Sequence, residues 1–353
     1  MNKKIKKIAV ISSGNGGQSM AAYFAYLGYR VALYARESER VDMFSDFRFS
    51  ISGEISAEVE VELISSDMGE VIKDAQLIMV TTPAQYHPIV ARAMAIHLVD
   101  GQAVVLNPGR TFGTMVFSKV LWDCGSRAKI MLGETDTFTF TCRCPQIRKP
   151  EIYKIKDTVR IAAHDNSYAE ELLILLHEIF EMYSLAESIL YTGFANIGMI
   201  FHPMPILMNI TRVEAEEDFL FYVEGISPIV AGVLEKMDLE RIAVANAYGV
   251  SVPTAQRWLA ECYGTRGHNL YERIQNTEAY KTVTAPKDLY TRYIFEDIPT
   301  GCVPISCAGK AAGVNTEIFD TLISWASAIY NRDFHAEGRN ENLIDFESFL
   351  HHQ

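Results

Sequence analysis

Residues 7–12 (Lys-Ile-Ala-Val-Ile-Ser) form a short β-branched apolar run that leads directly into Ser13-Gly14-Asn15-Gly16-Gly17-Gln18. No other stretch narrows the choice of fold as far. The run fits a strand buried in a parallel sheet. Ser19 to Leu27 is rich in helix-compatible Ala, Met and Tyr, Gly28 stands where a helix closes on a left-handed residue, and Arg30 to Ala35 reads as a second strand. Strand, glycine turn, helix, glycine, strand is a βαβ unit. A turn of this kind suits a dinucleotide: small residues let the backbone approach the pyrophosphate, and the helix N-terminus faces it with unpaired N–H groups and a partial positive charge. Measured against Gly-x-Gly-x-x-Gly, Ser12 takes the first glycine position, Gly14 the second and Gly17 the third. Ser12, Gly14, Asn15, Gly16 and Gly17 are therefore the candidate pyrophosphate cradle.

The second strand ends Leu33-Tyr34-Ala35-Arg36. An acidic residue there would bind a ribose 2′-hydroxyl, whereas an arginine suits a 2′-phosphate, so Arg36 tilts the expectation to NADP(H) over NAD(H); Glu37 and Glu39 argue the other way. The alternation continues with strands at Gln76–Thr82, Ala103–Leu106, Lys129–Leu132 and Thr158–Ala163, and with helices at 85–98 and near 168–186. Ligands in open α/β sheets bind beyond the carboxyl ends of the strands. Thr82 and Pro83, Asn107 and Gly109, and Glu134-Thr135 are expected to line the nicotinamide side of the cleft, with His87 at its border.

The chain has 353 residues and a formal net charge of −12. That length exceeds what one hydrophobic core usually serves, which predicts two domains. Acidity without a Lys/Arg-rich patch argues against nucleic acid. The run Lys3-Lys4-Ile5-Lys6-Lys7 precedes an apolar stretch that glycines end too early for a signal peptide, so it reads as a solvated lead-in. No segment approaches the roughly 18 apolar residues of a membrane span. Six cysteines lack Cys-x-x-Cys spacing, and two further ligands for Cys142-x-Cys144 are not evident. A cytoplasmic protein with reduced thiols and no metal site is expected.

From 188 onward the pattern turns helical, with segments at 188–215, 216–237, 240–249, 253–263 and 313–329. The expected organisation is a parallel, doubly wound α/β Rossmann domain (1–187) followed by an all-α domain (188–353). Pro203 and Pro205 should break their helix beside His202. Read alone, His202 fits a satisfied core histidine better than a catalyst, Asn196 fits an internally bonded core amide almost as well as a ligand, and Asp297 reads as a helix or turn cap before Pro299.

The string from Ala9 to Tyr23 resembles the entry motif of the opine dehydrogenases, the octopine/nopaline dehydrogenase family. So do Asn107-Pro108-Gly109-Arg110-Thr111, Glu134-Thr135 leading to Phe140-Thr141-Cys142-Arg143, Phe201-His202-Pro203, and the segment Arg292 to Pro299. These segments recur in family order from residue 8 to about 305. The departures are Ser12 for glycine and the missing acid after the second strand. The resemblance implies reductive condensation of an amino acid's amino group with a 2-oxo acid, commonly pyruvate, at the expense of NAD(P)H. It places a catalytic histidine–aspartate pair on His202 and Asp297. Proton transfers near neutral pH suit an imidazole whose tautomer a carboxylate holds. Both substrates are carboxylates, and Arg143 and Arg292 lie inside the matching motifs as candidate partners; Asn196 is a candidate for a substrate or cofactor amide. Trp258, Tyr263 and Tyr293 are pocket walls or core, and a homodimer is plausible for the apolar helical half.

Two other readings stand beside this one. A reductase of the glycerol-3-phosphate or ketopantoate type needs no amine and relies on a lysine, for which Lys236, Lys281, Lys287 and Lys310 are available. A non-catalytic NADPH sensor would need the fold but no proton-transfer pair.

Overall fold

A computed structural model describes residues 5–44 and 46–350, with only the backbone of Ser38 and Glu39. Lys3 and Lys4 of the basic run, His351 and His352, and the side chain of Glu39 thus lie outside the described residues. The chain divides into two compact units, Met1–Thr192 and Gly193–Gln353.

Among its described residues the first unit holds twelve strands: β1 (Lys7–Ile11), β2 (Arg30–Tyr34), β3 (Arg48–Gly53), β4 (Ala57–Glu60), β5 (Leu63–Ser65), β6 (Leu77–Val80), β7 (Ala103–Leu106), β8 (Met131–Thr135), β9 (Phe140–Gln146), β10 (Lys149–Ile155), β11 (Val159–Ala163) and β12 (Tyr183–Leu185). Eight of them form a sheet in the order β12-β11-β8-β7-β6-β1-β2-β5. β5, β2, β1, β6, β7 and β8 run parallel, as the apolar, unalternating sequences of the central strands require. β11 joins β8 antiparallel and carries β12 parallel to itself. Every residue of β1, β6 and β7 is buried. Each Ile, Val or Leu so placed contributes about 1.5–3 kcal/mol relative to exposure.

The remaining four strands make a second sheet, β4-β3-β10-β9, which lies outside the strands expected from the sequence. Its signal was present: Glu58-Val59-Glu60 alternates with period two, and in β4 the glutamates are exposed while Val59 is half-buried. The helix Asn15–Tyr26 contacts this sheet, and Tyr23 stacks on Phe180 (centroids 5.8 Å apart) and meets the edge of Phe140 at 5.2 Å.

The second unit is helical; among the described residues only an isolated bridge, Leu220 to Thr284, has β character. The apolar segment at 188–215 is four short helices, Ile189–Phe194, Gly198–Phe201, Pro203–Met208 and Ile210–Glu214. The helix expected over 216–237 instead begins at Pro228 and runs unbroken to Ala247, absorbing most of the segment expected at 240–249. The reason is local. Ser227 precedes a proline, which disfavours helical backbone there; it is extended, and its hydroxyl accepts from the N–H of Val230 as a cap. On this helix the buried Arg241 donates to Asp238 Oδ1 and to the carbonyls of Phe194 and Pro253, while Asp238 Oδ2 accepts from Ala255 N–H. A buried ion pair satisfied in this way anchors the chain on both sides of it. Among the described residues, no helix is long and apolar enough to cross a membrane.

Candidate active site

The glycine turn sits where β1 ends. The helix begins at Asn15, so Gly16 and Gly17 lie in its first turn. Its N-cap, Gly14, makes no side-chain cap, and no acid occupies the first turn. The leading N–H groups are left for a ligand. A Cβ on Gly17 would stand 1.8 Å from the carbonyl oxygen of Ser12, so only glycine lets this helix approach the strand so closely. Ser12 adopts φ +153°, a backbone state that favours glycine, and its hydroxyl accepts from Gly14 N–H at 3.2 Å. These features fit a dinucleotide pyrophosphate.

A cleft of about 320 Å³ opens beside the turn, bordered by Ser12, Gly14, Arg36, Thr82 and Pro83 among others. Arg36 bonds to the exposed Glu37 at 2.8 Å, with its guanidinium 5.6 Å from the Tyr86 ring centroid. Arg40 and Tyr86 also line the cleft and were not singled out from the sequence. Arg40 donates to the Ser13 carbonyl at 3.1 Å, and only folding of the segment after β2 brings it back to the turn.

The side chains of four residues expected at the cleft are buried in this unit. Asn107 is fully buried: its amide nitrogen donates to Thr139 Oγ1 (2.7 Å) and Tyr183 OH (3.0 Å), and its oxygen accepts from Thr139 N–H. Burial pushes the Tyr183 hydroxyl well above its ordinary pKa, so it stays neutral in this network. Glu134 and Thr135 lie within β8, and Glu134 accepts from Thr114 N–H and the Thr192 hydroxyl, both at 2.7 Å, while a Cβ on Gly109 would meet its carboxylate. It braces the loop that follows β7. His87 is fully buried edge-on to Phe117.

In the second unit, His202 stands at the break between Gly198–Phe201 and Pro203–Met208, where the ring of Pro203 begins a new helix. Its Nδ1 lies 2.8 Å from Asp297 Oδ2. The imidazole stacks on Tyr293, centroids 4.2 Å apart at 15°. The His202 side chain is 18% exposed and that of Asp297 2%, so the pair has one accessible end, that of the imidazole. Asp297 Oδ1 is buried without a hydrogen-bond partner, an arrangement that costs about 1–3 kcal/mol and calls for an explanation. Asp297 caps a π-helical turn, Ile298–Cys302, a rare geometry concentrated at functional sites. Gly301 in that turn packs so closely that a Cβ would stand 2.8 Å from Met199 Cβ. This contact brings the aspartate's turn against the helix that ends at His202.

The helical domain of NAD/NADP octopine/nopaline dehydrogenases matches residues 185–330, and the N-terminus of NAD-dependent glycerol-3-phosphate dehydrogenase matches 7–109. An opine dehydrogenase of Arthrobacter sp. (strain 1C) is 35% identical over 337 residues, covering 95% of this chain and 93% of its own. The chain belongs to the opine dehydrogenase family. A solved octopine dehydrogenase with NADH and L-arginine shares the fold at TM-score 0.81 and 24% identity, over 96% of this chain and 95% of the other. A yersinopine dehydrogenase with NADP+ bound does so at 0.77 and 13%, over 99% and 98%. Like other opine dehydrogenases, this one is an NAD(P)-dependent oxidoreductase acting on CH–NH, by reductive condensation of an amino acid with a 2-oxo acid.

The other substrate candidates of this opine dehydrogenase are held locally. Asn196 is buried, and its side-chain oxygen accepts from Gly198 N–H at the start of the helix leading to His202. Arg292 gives Nε and Nη2 to the buried carboxylate of Glu296, one helical turn on. Arg143 is exposed on β9, between Cys142 and Cys144; Cys144 points at Gln18 of the glycine-turn helix, so Arg143 leaves the opposite face. Tyr293 is the residue that the fold adds most directly to the pair.

Proposed function

We propose that His202 is the general acid/base of this enzyme and that Asp297 orients it. Addition of the amine to the 2-oxo acid gives a carbinolamine, whose hydroxyl must be protonated to leave as water. The resulting imine carbon then accepts hydride, so that amine, 2-oxo acid, NAD(P)H and a proton yield the secondary amine, water and NAD(P)+. The bound nicotinamide supplies that hydride. With Asp297 accepting from Nδ1–H, Nε2 is the nitrogen that takes up and returns protons, and the carboxylate stabilises the imidazolium formed on the way. The observation that carries the reading is the 2.8 Å His202–Asp297 contact with one exposed end.

The 2-oxo acid is pyruvate in this reading, as is common in the family, and NADPH is the preferred cofactor. Arg36 and Arg40 in the cleft support the preference: the Arg36–Glu37 pair is exposed and weak enough for a 2′-phosphate to displace. We place the enzyme in the cytoplasm, in keeping with six cysteines free of disulfides. The lysine-based alternative is less well supported, since Lys281 and Lys287 are tied to Glu278 and Asp218. A matrix of amino acids against 2-oxo acids, run with NADPH and NADH, tests the proposal. Oxidation of NADPH by pyruvate without any amine, or turnover unchanged in His202→Ala, overturns it.

A further inference from the structure

Outside the His202 site, the second unit gathers three donors of different chemistry. Cys307 lies on the helix Val303–Ala312, His335 on the short helix Phe334–Glu337, and Glu341 just beyond it. One ligand atom from each falls within a single small sphere: Cys307 Sγ is 3.6 Å from His335 Nε2 and 3.3 Å from Glu341 Oε2, and these last two are 3.4 Å apart. The His–Glu separation is longer than a well-formed hydrogen bond, about 2.7–3.2 Å. The two sulfur contacts are within reach of a thiol hydrogen bond, and all three distances also fit a metal. Zinc bonds of about 2.3 Å to sulfur and 2.0–2.2 Å to nitrogen and oxygen, at tetrahedral angles, set the donors roughly 3.3–3.6 Å apart.

We propose that Cys307, His335 and Glu341 form a zinc site, with water in the fourth position. Thiolate, imidazole and carboxylate together suit this borderline-soft cation, and a hard cation such as magnesium would not select the sulfur. The Cys307 side chain is buried, while those of His335 and Glu341 are 46% and 55% exposed, which leaves an entry path and room for the water. The donors are held before any ion arrives. Asn340 is buried, and its amide donates to the His335 carbonyl at 2.8 Å. Arg339 N–H donates to the Pro299 carbonyl at 2.9 Å, and Gly338 packs on Val303. On binding, the thiol loses its proton to solvent and the sulfur–metal bond forms with no change of oxidation state. The loaded site ties residues 335–341 to the helix that continues from the π turn beside Asp297.

The test is cobalt and zinc titration of the full chain after chelator treatment. One equivalent of Co2+ should give a thiolate-to-metal charge-transfer band that Zn2+ abolishes, and Zn2+ should raise the thermal midpoint. Cys307→Ser should eliminate the band. His335→Ala and Glu341→Gln, both changes of half-exposed side chains, should weaken binding by more than the roughly 10–100-fold that loss of an outer-shell partner costs. Cys262→Ser and the Cys142→Ser/Cys144→Ser double variant should keep the band. No band at one equivalent, a band that survives in Cys307→Ser or vanishes in either control, or unchanged affinity in both His335→Ala and Glu341→Gln overturns the proposal. If Cys307→Ser does not fold, the last two variants decide it.

Discussion

His202 Nδ1 and Asp297 Oδ2 meet at 2.8 Å across 95 residues of chain. Residues close to each in sequence hold the two together. The ring is fixed from one side by Tyr293, and the carboxylate from the other by a π turn packed on Met199 through Gly301.

Asp297→Asn should keep the shape of this contact and lose its charge. In the hydrolase triad the same exchange costs about 10⁴ in kcat through the wrong tautomer, and a fall of about 10²–10⁴ is expected here. Steady-state kinetics together with nucleotide binding by fluorescence check it; NADPH affinity should stay within about twofold.

Gly301→Ala should separate the aspartate's turn from the helix before His202. The added carbon meets Met199 Cβ, which is part of a buried helix. Overpacking of this kind costs about 1–3 kcal/mol, so thermal unfolding should begin several degrees lower and kcat should fall with little change in nucleotide affinity.

Gly17→Ala places a carbon against a backbone oxygen that no rotamer can move. Cofactor affinity should fall by at least about tenfold, equivalent to 1.4 kcal/mol, as read by NADPH fluorescence titration. Retained affinity would show that the turn does not hold the pyrophosphate.

Arg36→Ala and Arg40→Ala should discriminate between the cofactors. Loss of a charge-assisted hydrogen bond worth about 1.5–3 kcal/mol raises the KM for NADPH by roughly 10–150-fold, while the KM for NADH changes little. Equal effects on both cofactors would remove the case for a 2′-phosphate site.

His164 offers a stability test. Burial lowers its pKa below the ordinary 6.5, so the neutral form is preferred in the folded protein. The unfolded chain takes up the proton first as pH falls, and stability is lost from about pH 6.5 downward until the folded-state pKa is passed. The urea midpoint should therefore drop over this window in the wild type and drop less in His164→Gln.

Much of the fold was legible because its evidence is local. β1 and β7 declared themselves as unbroken apolar runs, Gly28 closed its helix with φ +84° as expected, and Pro203 broke the chain beside His202. The second sheet is harder to read because its strands are charged and half-exposed, a weaker signal than a buried run. The helix expected from 216 failed on one dipeptide, Ser227-Pro228, whose capping chemistry outweighs the surrounding propensity.

What the sequence by itself determined is the order of elements and the backbone demands of the glycine turn, since these depend on residues within a few positions of each other. It also named His202 and Asp297, through resemblance of whole segments and not through any property of either residue. Tertiary structure alone decided which polar groups are available. It buried Asn107 in a network with Thr139 and Tyr183, brought Arg40 to the glycine turn and laid Tyr293 on the imidazole. It also brought Cys307, His335 and Glu341 to within a few ångströms of one another. Pairing and burial are properties of packed neighbours, and periodicity along a chain reports only which face a residue occupies.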